Sequence, residues 1–142
     1  MVYLSTIKFL LISTNFKKIL KAVKFFLIDK IKRKNIKNHK QELMINNCKM
    51  KILPNDEGIS PELLIYEVHE PLTTDLIQTE VKPGMTILDI GSNIGYYAIL
   101  ESKLIGSTGK IFSIEPSPQN FKLLQENLEI QDTNNFQIFN LA

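Results

Sequence analysis

The sequence predicts an α/β fold in which short parallel strands alternate with helices. Three apolar runs carry this prediction, at residues 86–88, 110–114 and 136–139. Their β-branched and aromatic residues are typical of buried strands. Helical spacing of apolar residues follows each of the first two runs. The chain therefore alternates between strand and helix in the manner of βαβ units.

A glycine-bearing turn joins the first of these strands to its helix. Residues 85–98 read MTILDIGSNIGYYA, where Asp89 closes the strand and residues 91–95 form the turn. Glycine in such a turn lets a ligand approach the backbone closely. The start of the next helix offers unpaired N–H groups to an anionic group. We predict that the turn binds a ligand; the alternative is a βα turn whose glycines are purely structural.

The glycine spacing favours one class of ligand. Dinucleotide sites read G-x-G-x-x-G and cradle a pyrophosphate. This turn reads D-x-G-x-x-x-G, with Ser92 and Asn93 where the middle glycine would stand. A second acid, Glu115, follows the strand at 110–114, at about the distance expected of a ribose-binding carboxylate. The pattern predicts a site for a ribose and a small zwitterion, and S-adenosylmethionine fits that description better than a nicotinamide dinucleotide.

Each residue of this predicted site has an assigned role. Glu115 is expected to accept both ribose hydroxyls, and Asp89 to hold the methionyl ammonium directly or through water. The N–H groups near Asn93 are expected to face the methionyl carboxylate. The alternative roles are a strand-end cap for Asp89 and a solvated loop acid for Glu115. The full predicted set from this part of the chain is Asp89, Gly91, Ser92, Asn93, Gly95 and Glu115.

Three segments together resemble the FkbM-type methyltransferases, which are class I S-adenosylmethionine enzymes. They read HEPLTTDLI, LDIGSNIGYYAI and FSIEPSPQNFKLLQENL, and the resemblance runs from about residue 43 to 142. The family usually has alanine where Ser92 stands. The resemblance implies a Rossmann-like fold and methyl transfer, commonly to a hydroxyl oxygen. It also implies that Glu70 and Thr74 lie against the cofactor, while their alternative roles are helix stop and N-cap.

The lead-in to the first strand, residues 41–84, is predicted to hold a hairpin and two helices. Residues 43–53 alternate around the turn pair Asn46-Asn47, a pattern that indicates a hairpin or a bulged strand. Ser60 is predicted to cap a helix that continues to about residue 68, with proline at its first position. Thr73 or Thr74 is predicted to cap a second helix that ends near residue 80.

The helices after the glycine turn are predicted from apolar spacing and from their ends. The first is expected over residues 94–105, where the run Gly106-Ser107-Thr108-Gly109 ends it as a glycine C-cap does. The second is expected to begin at Ser117, a cap followed by Pro118. Together with the three strands, these helices make residues 85–142 the N-terminal half of a Rossmann-like cofactor-binding domain.

The first 40 residues differ from the rest in charge. Of the 17 basic residues, 13 lie in residues 1–51, against two of the 15 acidic ones. Between residues 16 and 31 apolar positions recur at helical spacing with lysines between them, which predicts a basic amphipathic helical arm followed by a linker. Packing on this protein or a partner and peripheral contact with an anionic membrane are both consistent with this pattern. Nucleic-acid binding is disfavoured, since no recognition fold accompanies the charge.

Cysteine and histidine usage bounds the remaining chemistry. The single cysteine, Cys48, alternates with apolar residues and is predicted to be buried and inert. One thiol cannot form an intramolecular disulfide, which favours the cytoplasm. His39 and His69 share no metal-ligand spacing, so no metal is expected.

The predicted sheet stops after its third strand. In the resembled fold, further strands lie on the other side of the first one and carry the acceptor site. We therefore expect the chain to be the donor-binding part of an O-methyltransferase, inactive alone, with a small-molecule, glycan or lipid hydroxyl as acceptor in the complete enzyme. A second chain is a candidate to complete the sheet. No catalytic residue is identified, and the alternative is a non-catalytic module that acts through the basic helix.

Overall fold

The computed structural model describes residues 41–53 and 58–142, together with Val23 and Leu27. The chain divides into two compact units, residues 1–37 and residues 38–142. In the first unit, Val23 and Leu27 are helical and half exposed. The rest of the predicted amphipathic arm lies outside the described residues, so its packing and its membrane contact stay predictions.

A tight hairpin opens the second unit, as the sequence predicts. Strand β1 (Gln41–Ile45) pairs antiparallel with β2 (Cys48–Ile52), and Ile45 lies opposite Cys48. The turn residues Asn46 and Asn47 have φ of 51° and 59°. Asparagine tolerates this left-handed region, and two such residues in succession match the twist of paired strands. Cys48 is buried with its thiol free, as predicted.

Two short helices follow, and both begin differently from the prediction. Helix α1 (Ser60–Tyr66) has Ile59 at its N-cap, and the Ser60 hydroxyl instead accepts a hydrogen bond of 3.3 Å from the Leu53 N–H. It ends at Tyr66 because Glu67 turns into the left-handed region, with φ of 58°. The predictions of a Ser60 cap and of a helix to residue 68 were wrong.

Helix α2 (Pro71–Glu80) has Glu70 at its N-cap, so neither Thr73 nor Thr74 is the cap. Proline explains the earlier start, because its fixed φ suits the first helical position and its missing N–H costs nothing there. The Thr74 hydroxyl instead donates to the His69 carbonyl at 2.6 Å.

The parallel sheet confirms the predicted fold class. Strands β3 (Thr86–Ile90), β4 (Lys110–Ile114) and β5 (Phe136–Phe139) are parallel, in the order β3-β4-β5. Helices α3 (Tyr96–Ile105) and α4 (Pro118–Glu129) connect them. The predicted cap of α4 is confirmed, since the Ser117 hydroxyl accepts from the Asn120 N–H at 3.4 Å.

Helix α3 begins two residues later than predicted. Asn93 and Gly95 have φ of 51° and 94°, and this left-handed backbone cannot continue into a right-handed helix. A Cβ at Gly95 would also lie 2.8 Å from Leu124 Cδ1 on α4. Glycine at this position therefore lets the turn and α4 approach closely.

Within the described part of the chain, one face of the sheet is covered and the other is exposed. Ile111 and Ser113 lie on the covered face and are fully buried. On the opposite face Leu88 is 60% and Ile90 is 73% exposed. Among the described residues β3 pairs with β4 alone, so one of its edges is open. The apolar side chains that alternate onto the uncovered face are Leu88, Ile90, Phe112, Ile114 and Phe139.

The hairpin forms a third layer outside the helices. Its inward residues Ile45, Met50 and Ile52 belong to the same buried cluster as the apolar side chains of α3 and α4. The fully buried Asn127 fixes this contact, because its side chain pairs with both the N–H and the carbonyl of Lys51, at 2.7 Å and 2.9 Å. The hairpin is thus joined to the helix that follows β4.

Within the described part of the chain, no helix has the length and apolarity needed to cross a bilayer.

Candidate methyl-donor site

The predicted site residues meet at the carboxyl end of the parallel sheet. The glycine turn leaves β3 at this edge, and Glu115 leaves the neighbouring β4. The turn is tied to β4 by its backbone, since the N–H groups of Gly91 and Ser92 both donate to the Ile114 carbonyl, at 2.8 Å and 3.0 Å. In open α/β sheets, ligands bind in the crevice at this edge.

Glu115 holds the turn in place through its carboxylate. One oxygen accepts from the Asn93 N–H at 2.8 Å, and the other accepts from the Ser117 N–H at 2.9 Å. The residue is 5% exposed, so it is not the solvated loop acid of the alternative interpretation. Each carboxylate oxygen has a second lone pair. The acid can therefore brace the turn and still accept a ribose hydroxyl.

The N–H groups of the turn differ from the prediction. The Asn93 N–H, expected to face a ligand carboxylate, donates to Glu115 instead. The Gly95 N–H donates to the Ser92 carbonyl at 2.8 Å. The reason is the left-handed backbone at three turn residues, Gly91, Asn93 and Gly95, which folds these groups back onto the chain. A ligand anion at this edge would meet the first turn of α3 instead, where any helix has unpaired N–H groups.

Two acceptor oxygens at the turn have no donor among the described residues. They are Asp89 Oδ2 and Asn93 Oδ1, and both atoms are buried. Burial raises the pKa of the Asp89 carboxyl, a hydrogen bond with Ser92 lowers it, and the charge of Glu115 raises it. Buried acceptors without donors are costly. An ammonium group provides several donors and a positive charge, so these residues fit the methionyl end of S-adenosylmethionine.

The first turn of α2 and its N-cap residue lie at the same edge. The Tyr97 hydroxyl donates to Glu70 at 3.0 Å, and the Thr74 hydroxyl lies 3.1 Å from that of Tyr96. Burial and the bond to Glu70 raise the pKa of Tyr97 to about 12, so this phenol stays a donor at neutral pH. Glu70 and Thr74 therefore lie at the start of α3, directly after the glycine turn.

Sequence reasoning missed the aromatic part of this edge. His69 lies edge-on to the Tyr96 ring and tilted against the Tyr97 ring, with centroids 5.8 Å and 5.7 Å away. Its Nδ1 is 2.5 Å from a Glu62 carboxylate oxygen. The sequence did contain a signal for this aromatic group, namely the two tyrosines that directly follow Gly95. No group of three potential metal-ligating side chains occurs among residues 41–53 and 58–142.

A family model matches most of the chain. It describes protein-L-isoaspartate(D-aspartate) O-methyltransferase (PCMT) and covers residues 18–140. The match includes the glycine turn, Glu115 and the segment with Glu70 and Thr74.

Individual relatives match shorter stretches. The protein-L-isoaspartate O-methyltransferase of Methanococcoides burtonii is 42% identical over 50 residues, 35% of this chain and 25% of the relative. A probable cobalt-precorrin-6B C(15)-methyltransferase of Sulfolobus acidocaldarius is 27% identical over 86 residues, 61% and 45% of the two chains. The chain thus spans less than half the length of the curated relatives it matches.

A solved structure shows the same fold. Trm5b from Pyrococcus abyssi superposes with a TM-score of 0.54 over 69% of this chain and 27% of its own, at 19% identity. This likeness bears on the fold alone.

These findings support the expected class of protein but not the expected family within it. The expected class, a methyltransferase with S-adenosylmethionine as cofactor, is confirmed. The FkbM-type assignment is not supported by the family comparison. The chain belongs to the protein-L-isoaspartate(D-aspartate) O-methyltransferase (PCMT) family.

Proposed function

We propose that this chain is the donor-binding half of an S-adenosylmethionine-dependent O-methyltransferase that acts on a carboxylate, the isoaspartyl carboxylate that its relatives' name indicates. The observation that carries the proposal is the site at the sheet edge. There a braced glycine turn presents two buried acceptors, Asp89 Oδ2 and Asn93 Oδ1, which lack donors in the described chain. The family match supplies the reaction class.

The acceptor class follows from chemistry as well as from the family. A carboxylate is ionised at neutral pH because its ordinary pKa is about 4, so it attacks a methyl group without a general base. A hydroxyl acceptor, which the FkbM-type resemblance implied, needs a base to remove its proton. A carboxylate acceptor therefore requires no general base among the described residues.

The protein's contribution in this mechanism is position and charge. When bound, the cofactor supplies a methyl group activated on a sulfonium. Asp89 orients the ammonium end and Glu115 accepts from the ribose. The chain must also hold the reacting atoms in line, about 3–3.5 Å apart, which is the main source of rate in such transfers.

The uncovered sheet face supports a second part of the proposal, that another polypeptide segment completes the sheet. The edge of β3 that the described residues leave unpaired and the exposed Leu88 and Ile90 form an apolar surface. Parallel sheets normally bury such a surface on both sides. An open apolar edge is also an association site. The completing segment would carry the acceptor-binding residues.

Cofactor preference tests the proposal. Titration calorimetry of the chain should show tighter binding of S-adenosylhomocysteine, the reaction product, than of NAD. The reason is that the turn lacks the middle glycine that makes room for a pyrophosphate. Equal affinity for the two ligands, or preference for NAD, would contradict the proposal.

Activity of the chain alone tests the claim that it is half of an enzyme. We expect no methyl transfer from tritiated S-adenosylmethionine to an isoaspartyl peptide or to hydroxyl acceptors. The described residues that meet at the site all lie on the donor side. Turnover by the purified chain that is lost in Glu115→Ala would show that these residues are sufficient.

A further inference from the structure

A cluster of polar side chains lies beneath the glycine turn, between helix α3 and the sheet. Asp89 on β3 lies directly opposite Ser113 on β4 in the strand register. Both side chains alternate onto the covered face, on which α3 packs. Glu101 on α3 is 8% exposed although it is an acid. The proposed mechanism assigns no role to Glu101.

Three atoms of this cluster lack partners. They are Asp89 Oδ2, Glu101 Oε2 and Ser113 Oγ, all buried and without a hydrogen bond in the described chain. Two carboxyl groups in such a site cannot both be ionised, because burial and mutual repulsion oppose the second charge. A single proton held between them turns one carboxyl into a donor for the other and removes much of the free-energy cost of burying two charges.

The proton belongs mainly to Glu101. Burial and the charge of Asp89 raise the pKa of Glu101 to about 7. Asp89 is partly exposed, whereas Glu101 is buried. Burial raises the pKa of the Asp89 carboxyl as well, a hydrogen bond with Ser92 lowers it, and the charge of Glu115 raises it. From α2, α4 and β5, no charged side chain among the described residues acts on Glu101. The greater burial of the Glu101 residue therefore favours the shared proton on that side chain.

We propose that Glu101 is a positioning residue for the methyl donor, which in its protonated form donates a hydrogen bond to Asp89 and which releases that proton to solvent when the donor's ammonium binds. This inference rests on the proposed function. The ammonium brings a positive charge to Asp89 and so favours ionisation of the neighbouring Glu101. No bond other than the O–H bond of Glu101 is broken.

Proton release on ligand binding tests the inference. S-adenosylhomocysteine is titrated at pH 6.5 in two buffers that differ in ionisation enthalpy. Wild-type protein should release a fraction of a proton, and its affinity should rise severalfold between pH 6 and pH 8. Glu101→Gln keeps a donor for Asp89 but has no proton to lose, so release and the pH effect should both vanish. Protons that the ligand itself gains or loses are the same for both proteins, so the difference between wild type and variant excludes them. Equal release by both proteins overturns the inference.

A second measurement does not depend on ligand binding. The carboxyl carbon of Glu101 is followed by NMR in the wild-type chain from pH 4 to pH 9, which also serves if Glu101→Gln fails to fold. Titration near pH 7 supports the shared proton, and titration near the ordinary value of 4.5 overturns it. Absence of S-adenosylhomocysteine binding together with titration near pH 7 would count against the proposed function while leaving the carboxyl pair in place. The same result would overturn the proposed coupling between Glu101 and the ligand.

Discussion

Replacing Glu115 by alanine is expected to weaken S-adenosylhomocysteine binding by at least about a hundredfold. The substitution removes the acceptor for the Asn93 and Ser117 N–H groups, so the turn loses its brace, and it removes the predicted ribose acceptor. A hydrogen bond to a charged group contributes about 1.5–3 kcal/mol. Two such losses at one site are enough for the expected effect.

Two further variants make the Glu115 result specific. Glu129→Ala removes an exposed acid at the end of α4 and should leave the affinity unchanged. Glu115→Gln keeps the size, but its NH₂ group would face one of the two N–H donors, so its affinity should fall between wild type and alanine. Calorimetry measures the affinities, and circular dichroism checks that the helices remain. Wild-type affinity in Glu115→Ala would mean that this acid neither braces the turn nor touches the ligand.

Replacing Asn127 by leucine is expected to lower the free energy of unfolding by about 3 kcal/mol. Leucine fills a similar volume but cannot pair with the backbone. It leaves the N–H and carbonyl of Lys51 and the Ile94 carbonyl without the bonds of 2.7 Å, 2.9 Å and 2.8 Å that Asn127 makes. The effect should be strongest at the hairpin, because Asn127 joins β2 to α4.

Urea unfolding measures this loss, with amide exchange in β1 and β2 as the local readout. Gln125→Ala on the exposed side of the same helix is the matched control, and we expect it to change stability by less than about 0.5 kcal/mol. A loss below about 1 kcal/mol in Asn127→Leu, or faster exchange in the parallel sheet but not in the hairpin, would contradict the structural role given to Asn127.

The parts of the fold that were predictable depend on local physical chemistry. The strands at 110–114 and 136–139 follow from β-branched and aromatic runs, and the Asn46-Asn47 turn and the Ser117 cap follow from residue types with one clear local use. The helix starts near Ser60 and Thr74 were misplaced because nearby residues competed for the same role. Helix α2 begins at Pro71, upstream of both threonines.

The parts that were not predictable depend on contacts between distant residues. The side chain of Asn127 pairs with a backbone 76 residues away, and no local pattern indicates this. The bracing of the turn by Glu115 and the burial of Glu101 likewise become visible only when β3, β4 and α3 are packed. The segments behind the FkbM-type resemblance are those predicted to bind the methyl donor. A donor site does not specify the acceptor, so these segments could not predict the finer family assignment.

The central claim is that the glycine turn and Glu115 form a methyl-donor site, and a residue-resolved NMR titration tests it most directly. S-adenosylhomocysteine should shift the backbone amides of residues 89–97 and 115–117, and saturate, while those of the β1–β2 hairpin stay in place. NAD at the same concentrations should produce smaller shifts. Shifts confined to other parts of the chain, or none with S-adenosylhomocysteine, would contradict the claim.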